Sequence, residues 1–220
     1  MRTSSDLRAG VDRVVRIVQR PAVVLAVSYL VGAVPFSNLV ARRVRGQDLR
    51  AVGTGTVSGT SLYHVAGFGP LALGGTLDVV KGAVGPLLAG PERPVLAAVA
   101  GALAVSGHNW SVYLGGRGGR GISPAMGALL VEGPQGAALL AAGLAVGRVA
   151  HQTALASLVA DATLVPLLAR SGGRARALAG TLLVAVLVGK RLTGNGPAPS
   201  REAYLYRLLY DRDTRQLPSR

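Results

Sequence analysis

The sequence predicts an all-α integral membrane protein with about seven transmembrane helices and Gly/Arg-rich cytoplasmic loops. Three observations carry this. Half of the 220 residues are hydrophobic and only 15% are charged, against roughly 25% in an average soluble domain. The mean hydropathy is +0.41, which excludes a disordered chain, because disorder needs low hydrophobicity. The apolar residues also gather into runs that approach the length of a bilayer crossing, about 20 residues per helix with roughly 17 to 25 tolerated.

The first run spans 21–40, broken by Ser28, Pro35, Ser37 and Asn38, and the second spans 65–90 with Asp78 and Lys81 inside it. The others cover 94–114, 121–131, 135–146, 153–169 and 177–189. Several are short, so six crossings remain an alternative to seven. The chain divides into a basic leader (1–20), a polytopic domain (21–190) and a basic cytoplasmic tail (191–220). Within the leader, residues 11–19 carry Arg13 and Arg16 on one helical face, a pattern that suits the membrane surface or a solvated segment. No small-x-small cleavage site followed by a soluble domain argues for a signal peptide.

Orientation follows from arginine and lysine in the loops. With the amino terminus outside, fourteen basic residues lie inside and nine outside, Lys81 being within a span. This places the loops at 41–61 and 115–121 in the cytoplasm. The five N-terminal arginines oppose the trend. A net charge of +14 points first to nucleic acid, but a chain made mostly of apolar runs is no nucleic-acid binder. There is no cysteine, which removes disulfides and thiol chemistry. His64, His108 and His151 lack metal-ligand spacing, so no metal is expected.

In so apolar a chain the polar residues are informative. The inner loop after the first span alternates Arg42, Arg43, Arg45 and Arg50 with Gly53, Thr54, Gly55, Thr56, Gly59 and Thr60. Glycines let backbone amides turn inward, and hydroxyls and guanidinium groups donate to an anion. A flexible positive-inside loop has the same composition, and no Walker ending is present. A second loop, 115–121, sets Arg117 and Arg120 among five glycines just before a new span. Both guanidinium groups can face one oxyanion, with the amides of Gly118 and Gly119 around it and a helix amino end behind. A plain linker has no need of paired arginines.

Asp78 and Lys81 stand at i and i+3 on one face of a span and can pair. Ionisable groups inside a membrane point to function, or to a structural lock between helices. Asp161 has no such local partner and reads as an interhelical polar contact. His108 closes the third span beside Trp110, either as an interfacial anchor or as a neighbour of the arginine pair. Gly143 and Gly147 form a packing pair.

The order of these motifs resembles the bacterial acyl-phosphate-dependent glycerol-3-phosphate acyltransferases, the PlsY family. The resemblance rests on Gly32 to Phe36, Asp48 to Arg50, Gly53 to Gly55 with Gly59 and Thr60, Asp78 with Lys81 and Gly82, Gly107 with His108, and Gly118 to Gly121. It runs from about residue 32 to 158, with an echo at 201–209. Several family residues are replaced. Ala33 stands for a serine, Thr56 and Ser61 for asparagines, Arg117 and Arg120 for lysines, and the tail lacks the family's His and Asn.

The resemblance implies a seven-span enzyme of the bacterial inner membrane that transfers an acyl group from acyl phosphate to glycerol 3-phosphate within phospholipid synthesis, with no cofactor. Arg117, Gly118, Gly119 and Arg120 would bind phosphate, joined by Arg50, Thr54 and Thr60. Asp78, Lys81 and His108 would form the catalytic group, with membrane lipid around the acyl chain. The alternatives are a non-catalytic paralogue that binds a phosphorylated lipid or polyol, and a transporter using Asp78, Lys81 and Asp161 as a charge pathway. No internal repeat supports the transporter.

Overall fold

The computed structural model describes residues 18–211 and 213, and among these every regular element is helical. The surface-helix reading of 11–19 falls almost wholly outside the described residues. All seven apolar runs are helical. Four helical stretches, 21–45, 68–89, 94–114 and 153–193, are long and apolar enough to cross a membrane, and Ile122–Glu132 is shorter.

Helix α1 (Pro21–Ala33) opens on proline, whose missing N–H costs nothing in a first turn. It stops before Pro35, which biases the preceding residue away from helical conformation; Val34 has ψ 119°. Helix α2 (Phe36–Arg45) resumes at once and ends at Gly46, whose φ is 68°. The break frees two carbonyls for other elements. Ser111 Oγ donates to Ala33 O at 2.6 Å and Lys81 Nζ donates to Val34 O at 2.6 Å.

Helix α3 (Gly59–Ala66) is capped by Ser58, which accepts from the Ser61 amide. Then follow α4 (Phe68–Ala89) and α5 (Pro94–Asn109). Helices α6 (Ile122–Glu132) and α7 (Pro134–Val149) are separated only by Gly133. At two crossings backbone takes the place of side chain. A Cβ on Gly107 would come within 2.2 Å of Tyr29 O, and one on Gly82 within 1.9 Å of Pro124 O. Close approach through small residues is how helices associate where lipid is as apolar as leucine.

The last long helix, α8 (Thr153–Thr193), is in fact two arms. Gly172 and Gly173 leave helical geometry, Gly173 with φ 65° and ψ −151°. Gly180 packs on Val165 and Leu168, and Arg191 reaches back to Ala154 O at 2.9 Å and to Ser157 Oγ. The arms are therefore antiparallel, and they match the separate runs at 153–169 and 177–189. Asp161 finds its partner here, 3.8 Å from Arg191 across the hairpin. The expected domain boundary at 190 falls inside α8. The tail adds α9 (Arg201–Tyr210), whose Arg207 donates to Leu192 O and Thr193 O at 3.0 Å and so closes the last carbonyls of α8.

The main core cluster joins Val105, Leu129, Leu140, Leu164, Leu183 and Leu187 from α5, α6, α7 and both arms of α8. The loops at 46–58, 110–121 and 194–200 gather at one end of the bundle. Arg93, which donates to Gln19 O at 2.6 Å, and the Gly172–Gly173 turn belong to the other.

Candidate functional site

Two polar groups meet at the loop end. The first is buried. Asp78 Oδ1 is 2.7 Å from Lys81 Nζ and Asp78 Oδ2 accepts from Ser37 Oγ at 2.6 Å. His108 Nδ1 lies 3.8 Å from Asp78 Oδ1. Lys81 also donates to the carbonyl that the Pro35 break frees, as described above. One turn of α4 thus holds a carboxylate and an ammonium that fasten α4 to the α1–α2 junction and to the end of α5. All three side chains are almost fully buried.

The second group lines a cavity of about 490 Å³. Arg50 and Thr54 enter it from the first loop, Arg117 and Arg120 from the second, and Asn195 and Arg207 from the tail. Asp48 orients Arg50: Nε and Nη2 of Arg50 reach its carboxylate at 3.1 and 2.7 Å, and Arg42 bonds the same group. Chiefly the Arg50 hydrogen bond, with help from Arg42, holds the Asp48 carboxyl well below the ordinary carboxylate range. Arg117 is exposed at the rim. Arg120 is more enclosed; its Nη2 is 2.9 Å from Asp211 Oδ1. Burial lowers its pKa, and Asp211 opposes that shift.

The glycine pair between the arginines joins the two groups. Gly119 N–H donates to His108 O at 3.1 Å, and Gly118 O accepts from Val57 N–H at 3.2 Å. Gly118 N–H donates to Asn195 Oδ1 at 3.1 Å. Asn195 Nδ2 donates to Gly118 O at 3.1 Å and to Gly55 O at 3.3 Å. Lys190 Nζ adds a bond to Asn195 Oδ1 at 2.8 Å. One side chain therefore ties both glycine loops to the end of the last span.

The structure departs from the sequence expectations at four points. The amides of Gly118 and Gly119 are not open to an anion, because both already donate to protein acceptors. Thr60 is exposed on the first turn of α3 and does not line the cavity; the buried Thr56, which accepts from Thr54 Oγ1 at 3.0 Å, does. The amino end of α6 does not face the cavity either, since Gly121 is buried against Asn109, Val105 and Leu187. Asp78, Lys81 and His108 lie behind the glycine wall and not on the cavity surface. Thr56 belongs to the loop read as anion-binding without being singled out there, and Asn195 and Arg207 are residues that the structure adds. A signal for Asn195 existed, in the turn-forming run Gly194, Asn195, Gly196, Pro197 that follows the last span.

The family profile described as glycerol-3-phosphate acyltransferase matches residues 22–195. The chain belongs to this family. A glycerol-3-phosphate acyltransferase of Myxococcus xanthus is 41% identical over 145 residues, covering 62% of this chain and 73% of that protein. One from Parasynechococcus marenigrum is 32% identical, covering 83% and 87%. The match to a Shouchella clausii relative, at 39% identity, spans half of that protein's length. Among solved structures, the glycerol 3-phosphate form of PlsY, an integral membrane glycerol 3-phosphate acyltransferase, superposes with a TM-score of 0.70. That superposition covers 78% of this chain and 88% of PlsY at 24% identity, and shows a shared fold. With its apolar helices, the family member described here is an integral membrane protein.

Proposed function

We propose that the chain transfers an acyl group from an acyl phosphate to the 1-hydroxyl of glycerol 3-phosphate at the cytoplasmic face of a bacterial inner membrane. Acylation of glycerol 3-phosphate is the reaction for which its family and relatives are named. The observation that carries the reading to this site is the cavity in which Arg50, Arg117 and Arg120 converge from loops far apart in sequence. Both substrates are phosphate anions that repel each other. Fixed guanidinium groups offset that repulsion and hold the hydroxyl against the acyl carbon.

In the transfer, the C1 hydroxyl oxygen of glycerol 3-phosphate bonds to the acyl carbon. The bond from that carbon to the phosphate oxygen breaks, and the departing phosphate takes the hydroxyl proton. No side chain has to serve as a dedicated base. Asp78, Lys81 and His108 act in this reading as positioning residues, since they brace the glycine wall from behind. Arg117 and Thr54 are placed to touch phosphate at the open side of the cavity, and Arg120 deeper within it.

The test is purified protein supplied with acyl phosphate and glycerol 3-phosphate, with 1-acylglycerol 3-phosphate measured. Product is expected from acyl phosphate and not at a comparable rate from acyl-CoA, for which the short loops offer no adenine cradle. A charge-assisted hydrogen bond contributes about 1.5 to 3 kcal/mol. Arg117→Ala should therefore lower kcat/KM by roughly one to two orders of magnitude, and Arg170→Ala, at the opposite end, should not. Equal behaviour of the two variants would remove Arg117 from the site, and phosphate binding without any product would leave a binding paralogue.

A further inference from the structure

The cavity read above as a phosphate site already holds an anion of the chain's own. Beyond α9 the backbone turns at Asp211, which adopts φ 56°, a left-handed conformation uncommon for a residue with a side chain. The turn carries the carboxylate back to Arg120, with Oδ1 2.9 Å from Nη2. Asp211 and Asp213 line the same cavity as Arg50, Arg117 and Arg120. Asp213 bonds Arg207 Nε at 2.5 Å, and Arg207 is otherwise spent on four carbonyls, those of Leu192, Thr193, Gly196 and Pro197. Asp213 thus belongs to a structural lock. The Asp211 pair has a different character, because its cation belongs to the anion loop.

A carboxylate and a phosphate monoester present guanidinium with the same kind of acceptor, oxygens carrying negative charge. The remaining contacts of Arg120 are slight. Nη1 reaches Lys190 O only at 3.5 Å, and the buried Nε has no partner among the described residues. Asp211 therefore makes the closest charged contact of a guanidinium that still has bonding capacity.

We propose that Asp211 is an internal competitor for substrate phosphate, occupying Arg120 in the empty site and leaving when a phosphorylated substrate binds. This rests on the cavity being the phosphate site. A competitor that must leave lowers the apparent affinity of every ligand by the same factor, the fraction of molecules in which the site is open. It also returns to Arg120 as product departs, which hastens release. The signature is thus a uniform tightening of all phosphate ligands when Asp211 loses its charge, with their relative affinities unchanged.

The experiment is calorimetric titration of the purified, detergent-solubilised full chain with inorganic phosphate and, separately, with glycerol 3-phosphate. Wild type, Asp211→Asn, Asp211→Glu and Arg120→Ala are compared, with thermal melting as the check on folding. Asp211→Asn is expected to bind both ligands about three- to tenfold tighter, by a common factor. Asp211→Glu, which keeps the charge, is expected to stay nearer to wild type, and Arg120→Ala to bind both more weakly. Unchanged or weaker binding in Asp211→Asn, with Arg120→Ala still impaired, overturns the competitor and leaves the phosphate cavity standing. Unchanged binding in Arg120→Ala overturns both.

Discussion

His108 stands against Gly119 so closely that a Cβ built on the glycine would come within 2.1 Å of His108 Nε2 and 2.4 Å of Val57 O. The imidazole could swing aside, but the Val57 carbonyl is backbone, in the segment that pairs with Gly118. Room for a methyl group would have to come from separating the two loops. Gly119→Ala is therefore expected to destroy acyl transfer while leaving a membrane-inserted protein, because the atoms it would meet are one side chain in the last turn of α5 and one loop carbonyl. Product formation and the amount of protein in purified membranes check this. Near wild-type turnover in Gly119→Ala would show that the loop shifts freely and that its contact with His108 is incidental.

The Asp78–Lys81 pair gives a prediction about stability. Removing one member of a buried pair strands the other charge, at about 3–5 kcal/mol, whereas replacing both is often neutral. Asp78→Asn should lower the melting temperature in detergent substantially, and adding Lys81→Met should recover most of the loss. The double variant is expected to melt near wild type yet remain impaired in kcat/KM, since the brace behind the glycine wall is gone. A double variant no more stable than Asp78→Asn would reject the account of Lys81 as a stranded charge.

Asp48 supplies a pH dependence. Its carboxyl pKa is depressed in the folded chain, first by Arg50 and then by Arg42, from the ordinary 3.8. A depressed carboxyl stabilises the fold fully above its unfolded value and loses that contribution as pH falls through the folded one. Asp48→Asn should therefore melt lower than wild type by a constant margin at neutral and mildly acidic pH. The margin should narrow only as pH drops below 3.8. Melting curves of both proteins across that range decide the matter, and a margin that closes at mildly acidic pH would assign the stabilisation to another group.

Topology is open to a labelling test, since the chain contains no cysteine. Ala51 and Ser171 are both exposed and lie at opposite ends of the bundle. The excess of basic residues at the loop end places Ala51 inside and Ser171 outside. An impermeant thiol reagent applied to intact cells should label Ser171→Cys and spare Ala51→Cys. The reverse pattern inverts the orientation and puts the cavity outside the cytoplasm.

Residues whose meaning is local were legible in the sequence. The apolar runs became helices because composition alone decides that a backbone in lipid must satisfy its own hydrogen bonds. Asp78 and Lys81 were readable as a pair because helical spacing puts them on one face. Arg50 and Arg117 stood out by their company of glycines and hydroxyls, and the fold brings both to one cavity. What stayed hidden depends on partners distant in sequence. Nothing near Gly118 says that its amide will be taken by Asn195, 77 residues away. Thr54, Thr56 and Thr60 look alike in the string, and only the start of α3 at Gly59 turns Thr60 outward. The pairing of Arg191 with Asp161 needed the fold-back at Gly172 and Gly173, which the sequence hints at only as a pause between two apolar runs.

Asn195 has a bearing on how the protein comes into being. A ribosome releases the two glycine loops long before it reaches residue 195, and until then one backbone bond, from Val57 to Gly118, is what joins them. A nascent chain with its earlier helices already inserted therefore carries both sets of arginines without the Asn195 clamp. The clamp arrives only when the second arm of the terminal hairpin has been made and has brought its end to the two loops. Completion of the arginine cavity is thereby timed to the close of membrane insertion, and a chain cut short anywhere before that asparagine reaches the bilayer without its clamp.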